Sequence, residues 1–365
     1  MDFGITFPSY IEAWKDAQLA EDSGFTHAWF YDSQLLYSDV YAPMALAAEH
    51  TSRLKLGTLV AIPSNRIAPV PASAIATINY LAPGRAILGV GTGFTGRNTM
   101  GLPAMSAQSM RDYIAQVRGL LAGDDVLFRE GGRERWIRLL HPDTERGFLN
   151  IEDHIPIYVA ANGPKAQAVT GEVGDGWITT TQPPDAFAAG YDRIAQAAKG
   201  AGRPAPFDGG TKPYTVILGM GCVLQPGEAR DSQRVVDRLG WAVMPGLHAA
   251  WEAEYGPGSN LGLDAPELAN VYKTYIDGYT AETGSPEDRR YLDVHEGHLA
   301  YLKPGEEQFV NEQTLARTFT GTPDEIIERL KGLEEAGVDN LAIQTVQGSA
   351  RELIEEFSTQ IIAKM

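Results

Sequence analysis

Phe3-Gly4-Ile5-Thr6-Phe7-Pro8-Ser9-Tyr10 is the stretch that decides the fold. Its first five residues form a short apolar run of strand length, and Pro8 ends it. An open doubly wound sheet, the competing α/β fold, carries its Gly-x-Gly-x-x-Gly dinucleotide turn directly after the first strand. Pro8-Ser9-Tyr10 stands there instead. Seven further strand-like runs follow, at Thr26–Tyr31, Leu54–Ala61, Ala86–Val90, Ile157–Ala161, Gly176–Thr180, Thr215–Val223 and Asn340–Thr345. Helical patterns separate them, at Tyr10–Asp22, Val40–Thr51, Pro69–Leu81, Ser106–Leu121, Pro164–Val173, Pro184–Lys199, Glu228–Trp251 and Pro323–Ala336. Several of these open on Pro or stop near Gly, as helix ends do. Strands alternating with helices require parallel pairing through right-handed crossovers, and closing the ring satisfies every strand edge. The reading is one α/β domain over residues 1–365, a (β/α)8 TIM barrel, whose catalytic residues lie at the C-terminal strand ends.

Two stretches break the rhythm and are read as insertions. Residues 123–150 hold a hairpin with Arg129-Glu130-Gly131-Gly132-Arg133 at its turn, and residues 256–312 are long, polar and rich in Gly, Pro and Tyr. Loops of that length serve as lids or oligomer contacts. The formal charge of −17, from 47 acidic and 30 basic residues, argues against nucleic acid, whose phosphates need a basic face. One cysteine, Cys222 in an apolar run, permits no internal disulfide and reads as a buried small residue. The absence of a long apolar run argues against a membrane span, and a cytoplasmic location is expected. No Gly-x-Ser-x-Gly elbow and no Gly-Lys-Ser/Thr phosphate loop occur, which disfavours a serine hydrolase and a P-loop enzyme.

Four local signals bear on chemistry. Leu88-Gly89-Val90-Gly91-Thr92-Gly93 ends the fourth strand, where glycines let backbone amides approach a ligand, though a ligand-free tight turn has the same composition. Tyr31-Asp32-Ser33 ends the second strand and puts a carboxylate at the barrel mouth, or else caps a helix. Ala161-Asn162-Gly163-Pro164 opens a helix whose free amides suit an anion, or is a plain strand-to-helix turn. His295-Glu296-Gly297-His298 spaces its histidines three apart around a glycine, whereas the helical zinc motif needs four. A solvated loop is therefore the first reading there and a lid the second, with no metal expected. His141 and His154, flanking the shorter insertion, read as structural. Tyr37, Tyr41, Phe94 and Trp177 fall near strand ends, where they would wall an apolar substrate pocket or pack in the core.

Taken in order and at this spacing, these pieces resemble the luciferase-like monooxygenase superfamily, and within it the oxidoreductases dependent on coenzyme F420, a deazaflavin. The pieces are Tyr31-Asp32-Ser33, Leu56-Gly57-Thr58 with Ile62-Pro63-Ser64-Asn65-Arg66, Pro83-Gly84-Arg85 running into Leu88–Gly93, and Ala161-Asn162-Gly163-Pro164 followed by Gly174-Asp175-Gly176-Trp177. The resemblance implies that Asp32 contacts the deazaflavin, and that a bulge with a non-proline cis peptide, at Leu59-Val60, presses on its ring. Leu59, Val60, Ala61 and Ile62 would line that face. Thr92, Gly93 and Asn98 would hold the cofactor, and Asn162, Gly163, Lys165 and Ala166 its ribityl-phosphate side. Two positions depart from the sugar-phosphate dehydrogenase members: Ser33 stands where they have His, and Phe94 where they have Glu. Phe94 argues for an apolar pocket, and the proton would come from Tyr37, His295 or His298.

The expected function is hydride transfer between F420 and a small organic substrate. The alternatives are an FMN-dependent monooxygenase and, from another class, a barrel that binds flavin or deazaflavin without catalysis. Members of the superfamily dimerise through helices near the second and third strands. The Ala-rich Ala42–Ala48 serves a homodimer or internal packing equally well.

Overall fold

In the computed structural model, eight parallel strands close into a barrel. The described residues are 1–203, 212–256, 266–282 and 284–365, so residues 257–265 and 283 of the expected 256–312 insertion lie outside them. The strands are β1 (Asp2–Phe7), β2 (His27–Phe30), β3 (Lys55–Thr58), β4 (Ala86–Val90), β5 (Ile157–Ala160), β6 (Gly176–Thr180), β7 (Tyr214–Gly219) and β8 (Asn340–Gln344). Each pairs with its neighbours in chain order, and β8 returns to β1. The crossover helices are α1 (Ala13–Asp22), α2 (Tyr41–His50), α3 (Pro69–Leu81), the short α4 (Phe94–Asn98), α5 (Ala107–Leu121), α6 (Pro164–Val173) and α7 (Pro184–Gly200). The (β/α)8 expectation is borne out.

Contacts divide the chain into two compact units. The first, Met1–Gly93 with Met105–Leu218 and Leu333–Ala342, carries the barrel core. Alternate strand residues face inward, and the interior is packed solid. Trp29 is fully buried with Ile87, Tyr158, Ile178, Val216 and Ala342 around it. Glycines on the flanking strands make room for its indole: a Cβ on Gly4 would come within 2.6 Å of the ring nitrogen, and one on Gly57 would overlap the ring itself. Tyr158 and Tyr214 stack with centroids 5.7 Å apart, and the Tyr214 hydroxyl donates to Asp2 at 2.6 Å.

The second unit comprises Phe94–Ala104, Gly219–Gly332 and Ile343–Met365. Its spine is α8 (Gln233–Tyr255), capped by Ser232, followed by α9 (Ala269–Thr274), α10 (Arg290–His295), α11 (Glu312–Leu315), α12 (Pro323–Glu335) and α13 (Ala350–Gln360). Met244, Leu247 and Trp251 of α8 pack on Tyr275, Ile276, Val294 and Phe309.

Several boundaries differ from the sequence reading. The run Thr215–Val223 breaks at Met220, and Gly221–Val223 leaves the barrel to pair with Phe319–Gly321. Gly219 and Gly221 flank the break, a mark that the continuous apolar run around them hid. The first helix starts at Ala13 rather than Tyr10, because residues 11 and 12 form a turn. The eighth starts at Gln233, where Ser232 accepts the Val235 amide, and runs on to Tyr255. The hairpin is present as Val126–Glu130 with Arg133–Ile137, and Gly131 and Gly132 take the positive φ its turn needs. Cys222 is buried and unbridged, as expected.

Candidate active site at the C-terminal strand ends

Strand β3 stops at Thr58, three residues earlier than its apolar pattern suggests, because the chain bulges. The Leu59-Val60 peptide is cis, at the position the family resemblance implied. Pairing resumes at a single bridge, Ala61 to Val90. The bulge is tied to β4 on both sides: Thr58 Oγ1 and the Ala61 amide both donate to the Gly89 carbonyl at 2.7 Å, and the Gly91 amide donates to Ala61 at 3.1 Å. Gly89 and Gly91 are therefore glycines for a reason other than ligand approach. A Cβ on Gly89 would overlap the Thr58 carbonyl oxygen, and one on Gly91 would sit 2.5 Å from Val60 Cγ2. Of the four bulge residues, Leu59, Ala61 and Ile62 are buried, and only Val60 keeps partial exposure.

Asp32 follows β2 and begins no helix, which removes the capping alternative; α2 opens only at Tyr41. Its carboxylate is 4% exposed and accepts from Arg66 Nη1 at 2.7 Å and the Ile62 amide at 3.3 Å. Arg66 spans to Asp39 at 2.6 Å and lies over the Tyr41 ring, 5.3 Å from its centroid. Burial pushes the Asp32 carboxyl above the usual carboxylate range, and Arg66 pulls it back. The Tyr41 hydroxyl is buried with no partner among the described residues. Arg66 was quoted in the sequence motif but given no role. The signal was available: a carboxylate expected to be buried demands a cation. Ser33 and Tyr37 are half-buried nearby, with the Tyr37 amide donating to the Ser33 carbonyl at 3.1 Å. Tyr37 packs on Tyr31, centroids 5.9 Å apart. Burial, then Tyr31, push its phenol well above the ordinary value, so it stays protonated at any working pH.

The turn after β4 places Gly93 at φ 80°, and the Thr92 carbonyl accepts the Met105 amide at 2.9 Å. Phe94, half-buried, and Asn98, fully buried, lie on α4. After β5 the chain turns into α6 as expected. Asn162 Oδ1 accepts from Thr179 Oγ1 at 2.8 Å and from the Thr180 amide at 3.3 Å, which fixes the turn. Asn162, Gly163 and Lys165 are exposed, Ala166 is half-buried, and a Cβ on Gly163 would meet nothing within 4 Å. No side chain caps the start of this ten-residue helix, so its first-turn amides lack a side-chain acceptor there.

Trp177 corrects the sequence reading. It lies on β6 facing outward, fully buried, with its indole nitrogen donating to the Ala161 carbonyl at 2.7 Å. Its ring meets Tyr191 edge-on at 5.2 Å and Phe187 at 5.9 Å, both on α7. It walls no pocket, because strand alternation sends residue 177 to the helix layer while Ile178 goes inside. Trp177→Phe is expected to lower unfolding stability by about 1–3 kcal/mol, from the unpaired carbonyl and the lost volume. Cofactor affinity should not move; urea unfolding and ligand titration on the same variant check both.

His295 and His298 also depart from expectation. Within the second unit they are 2% and 1% exposed, so neither belongs to a solvated loop. They converge with His248 of α8, which the sequence reading missed. The available signal was a histidine and an acid, His248 and Glu252, four apart on the apolar face of an amphipathic helix. Burial, followed by the neighbouring imidazoles, pushes His248 and His298 well below the ordinary histidine value. His141 and His154 are exposed.

The sequence profile of the luciferase-like monooxygenases matches residues 8–340. The chain belongs to the luciferase-like monooxygenase family. Among curated members of this family, 5,10-methylenetetrahydromethanopterin reductase from Archaeoglobus fulgidus is 28% identical over 100% of this chain and 98% of its own. The enzyme of that name from Methanolobus tindarius is 34% identical, over 56% of this chain and 61% of its own length. F420-dependent glucose-6-phosphate dehydrogenase from Kineococcus radiotolerans is 29% identical over 79% of this chain and 86% of its own. Among solved structures, the F420-dependent tetrahydromethanopterin reductase of Methanopyrus kandleri aligns with a TM-score of 0.70 at 20% identity, covering 100% of this chain and 99% of that one. This luciferase-like fold is thus shared along the whole chain. Among the described residues, no helix is long and apolar enough to cross a membrane.

Proposed function

We propose that the protein is an F420-dependent oxidoreductase that moves a hydride between the deazaflavin and a small organic carbonyl, imine or activated alkene. The observation that carries this reading is the bulge at Leu59-Val60, held against Gly89 and Gly91 with Val60 its one partly exposed side chain. Its relatives named as F420-dependent add support. The residues present fit the group. The unpartnered Tyr41 hydroxyl and the Asp32–Arg66 pair offer polar contacts beside the bulge. Asn162, Gly163, Lys165 and the free amides of α6 suit a phosphate, since a helix start presents donors and positive potential. Bound F420 supplies the hydride chemistry; the protein supplies orientation and a dry surface.

The chain's own groups do the rest. Asp32 anchors the segment after the bulge through the Ile62 amide, so it acts as a positioning group as well as a cofactor contact. Tyr37 holds a proton it can deliver to a reduced substrate atom, and Ser33 lies within the same turn. Thr92 and Gly93 follow β4, on the other side of the bulged β3 from Asp32. Phe94, with a ring where the sugar-phosphate relatives have a carboxylate, favours an apolar substrate.

Titration of the purified protein with F420 and, separately, with FMN tests the proposal. Saturable F420 binding without FMN binding is expected. FMN binding without F420 binding would replace it with the monooxygenase reading. Asp32→Ala is expected to weaken F420 binding at least about tenfold, since a buried charge-assisted contact is worth about 1.5–3 kcal/mol. Unchanged affinity in a folded variant removes Asp32 from the site. Bound F420 that no carbonyl, imine, activated-alkene or alcohol panel reduces or oxidises leaves only the binding-protein alternative.

A further inference from the structure

We propose that the second unit contains a divalent transition-metal site, of the zinc class, built from His248, His295 and His298 with Glu252 behind it.

The three imidazoles are buried, and one ring nitrogen from each lies within 4.8 Å of the others. They come from three places: His248 from α8, His295 from the end of α10, and His298 from the turn that follows. Gly297 at φ 77° makes that turn and reverses the chain, so that the His298 amide donates to the His295 carbonyl at 3.1 Å. Three-residue spacing departs from the four of the helical zinc motif, but the turn still leaves both rings within reach of His248. The glycine that argued against a metal in the sequence is what brings these rings together.

The donor atoms are sorted as a metal site requires. His295 Nε2 meets Glu252 Oε1 at 2.8 Å, which leaves Nδ1 with no partner among the described residues. His298 Nε2 meets Thr95 Oγ1 at 3.2 Å, and its Nδ1 meets His248 Nδ1 at 2.7 Å. Two of the three ligands thus have their far nitrogen held by an oxygen, as metal-bound histidines do, one of them by a carboxylate. The His248–His298 pair sits closer than the edge of about 3.3 Å that a tetrahedral site with Zn–N bonds of about 2.0–2.1 Å imposes, so a small opening suffices to admit an ion. Charge points the same way. Glu252 is 1% exposed, and its Oε2 has no partner among the described residues. A buried carboxylate with an unpartnered oxygen is costly, and a dication on the neighbouring rings offsets it. Three imidazoles and no thiolate select Zn2+, Co2+, Ni2+, Cu2+ or Fe2+ over Mg2+ and Ca2+.

The test uses the full chain, stripped with a chelator and titrated with Co2+ and then Zn2+. About one equivalent of Co2+ with visible ligand-field bands that Zn2+ abolishes is expected, together with a metal-reversible rise in melting temperature. His298→Gln and His248→Gln should each lose the bands, while Glu252→Gln should retain them with affinity reduced about 10–100-fold. His141→Gln, at an exposed histidine, should match the parent. The parent protein is decisive if a variant fails to fold. Fewer than about 0.1 equivalents of zinc after growth with added zinc, with no Co2+ bands, overturns the proposal. Bands that survive both histidine substitutions in folded protein also overturn it. None of these readouts depends on F420.

Discussion

Gly89→Ala is expected to leave little folded protein, and whatever folds should bind no F420. The added methyl would overlap the Thr58 carbonyl oxygen and crowd Ile178 Cδ1 at 3.1 Å. A long side chain could swing away, but Thr58 is backbone at the last rung of β3. It is already tied to Gly89 by its hydroxyl at 2.7 Å. Relief therefore requires β3 and β4 to separate where the bulge is attached. Overpacking in a close-packed core costs about 1–3 kcal/mol even when side chains absorb it, and more when only backbone can. The same step shifts Leu59 and Val60. Gly163→Ala is the matched control: its methyl meets nothing within 4 Å and φ there is extended, so stability should hold. Soluble yield, melting temperature and F420 titration on both variants provide the comparison. A Gly89→Ala protein with parental stability contradicts the packing argument.

Glu21→Ala is expected to cost about 2–4 kcal/mol, although the residue lies far from any chemistry. Glu21 ends α1, and its carboxylate accepts the amides of Ser52 at 3.0 Å, Arg53 at 2.6 Å and Leu54 at 2.8 Å. Those amides lead into β3, so one side chain fixes where that strand enters the barrel. Burial works against the charge, but the amides of Arg53, Leu54 and Ser52 outweigh it and hold the carboxyl below its ordinary value of 4.5. The folded pKa is depressed, so the stabilisation is complete above pH 4.5 and is lost as pH falls through the folded value. The stability gap between the parent and Glu21→Gln should therefore be constant near neutrality and narrow below pH 4.5. A gap that widens on acidification reverses the sign and refutes the account.

Much of the barrel was legible because its strands are short apolar runs bounded by glycine and proline, with Ala86–Val90 and Gly176–Thr180 found to the residue. The end of β7 was missed although Gly219 and Gly221 flank Met220, because apolar residues continue on both sides and partner choice decides where the chain leaves the barrel. The helix Ala350–Gln360 went unread although its spacing is strongly amphipathic. Site residues fared by kind. The α6 start follows from local sequence, whereas the Leu59-Val60 bulge was reached only through the family resemblance. Partnerships between distant side chains do not follow from local sequence. Nothing near Asp32 in sequence names Arg66, and nothing near His298 names His248, fifty residues earlier. Trp177 failed because a strand residue's face depends on register, and one step of parity moves it from the interior to the helix layer.

The indole of Trp29, walled by Gly4 and Gly57, stoppers the barrel axis. A vessel closed at its floor has one entrance. No reactant reaches the site from below, since packing of this density leaves no channel through the barrel.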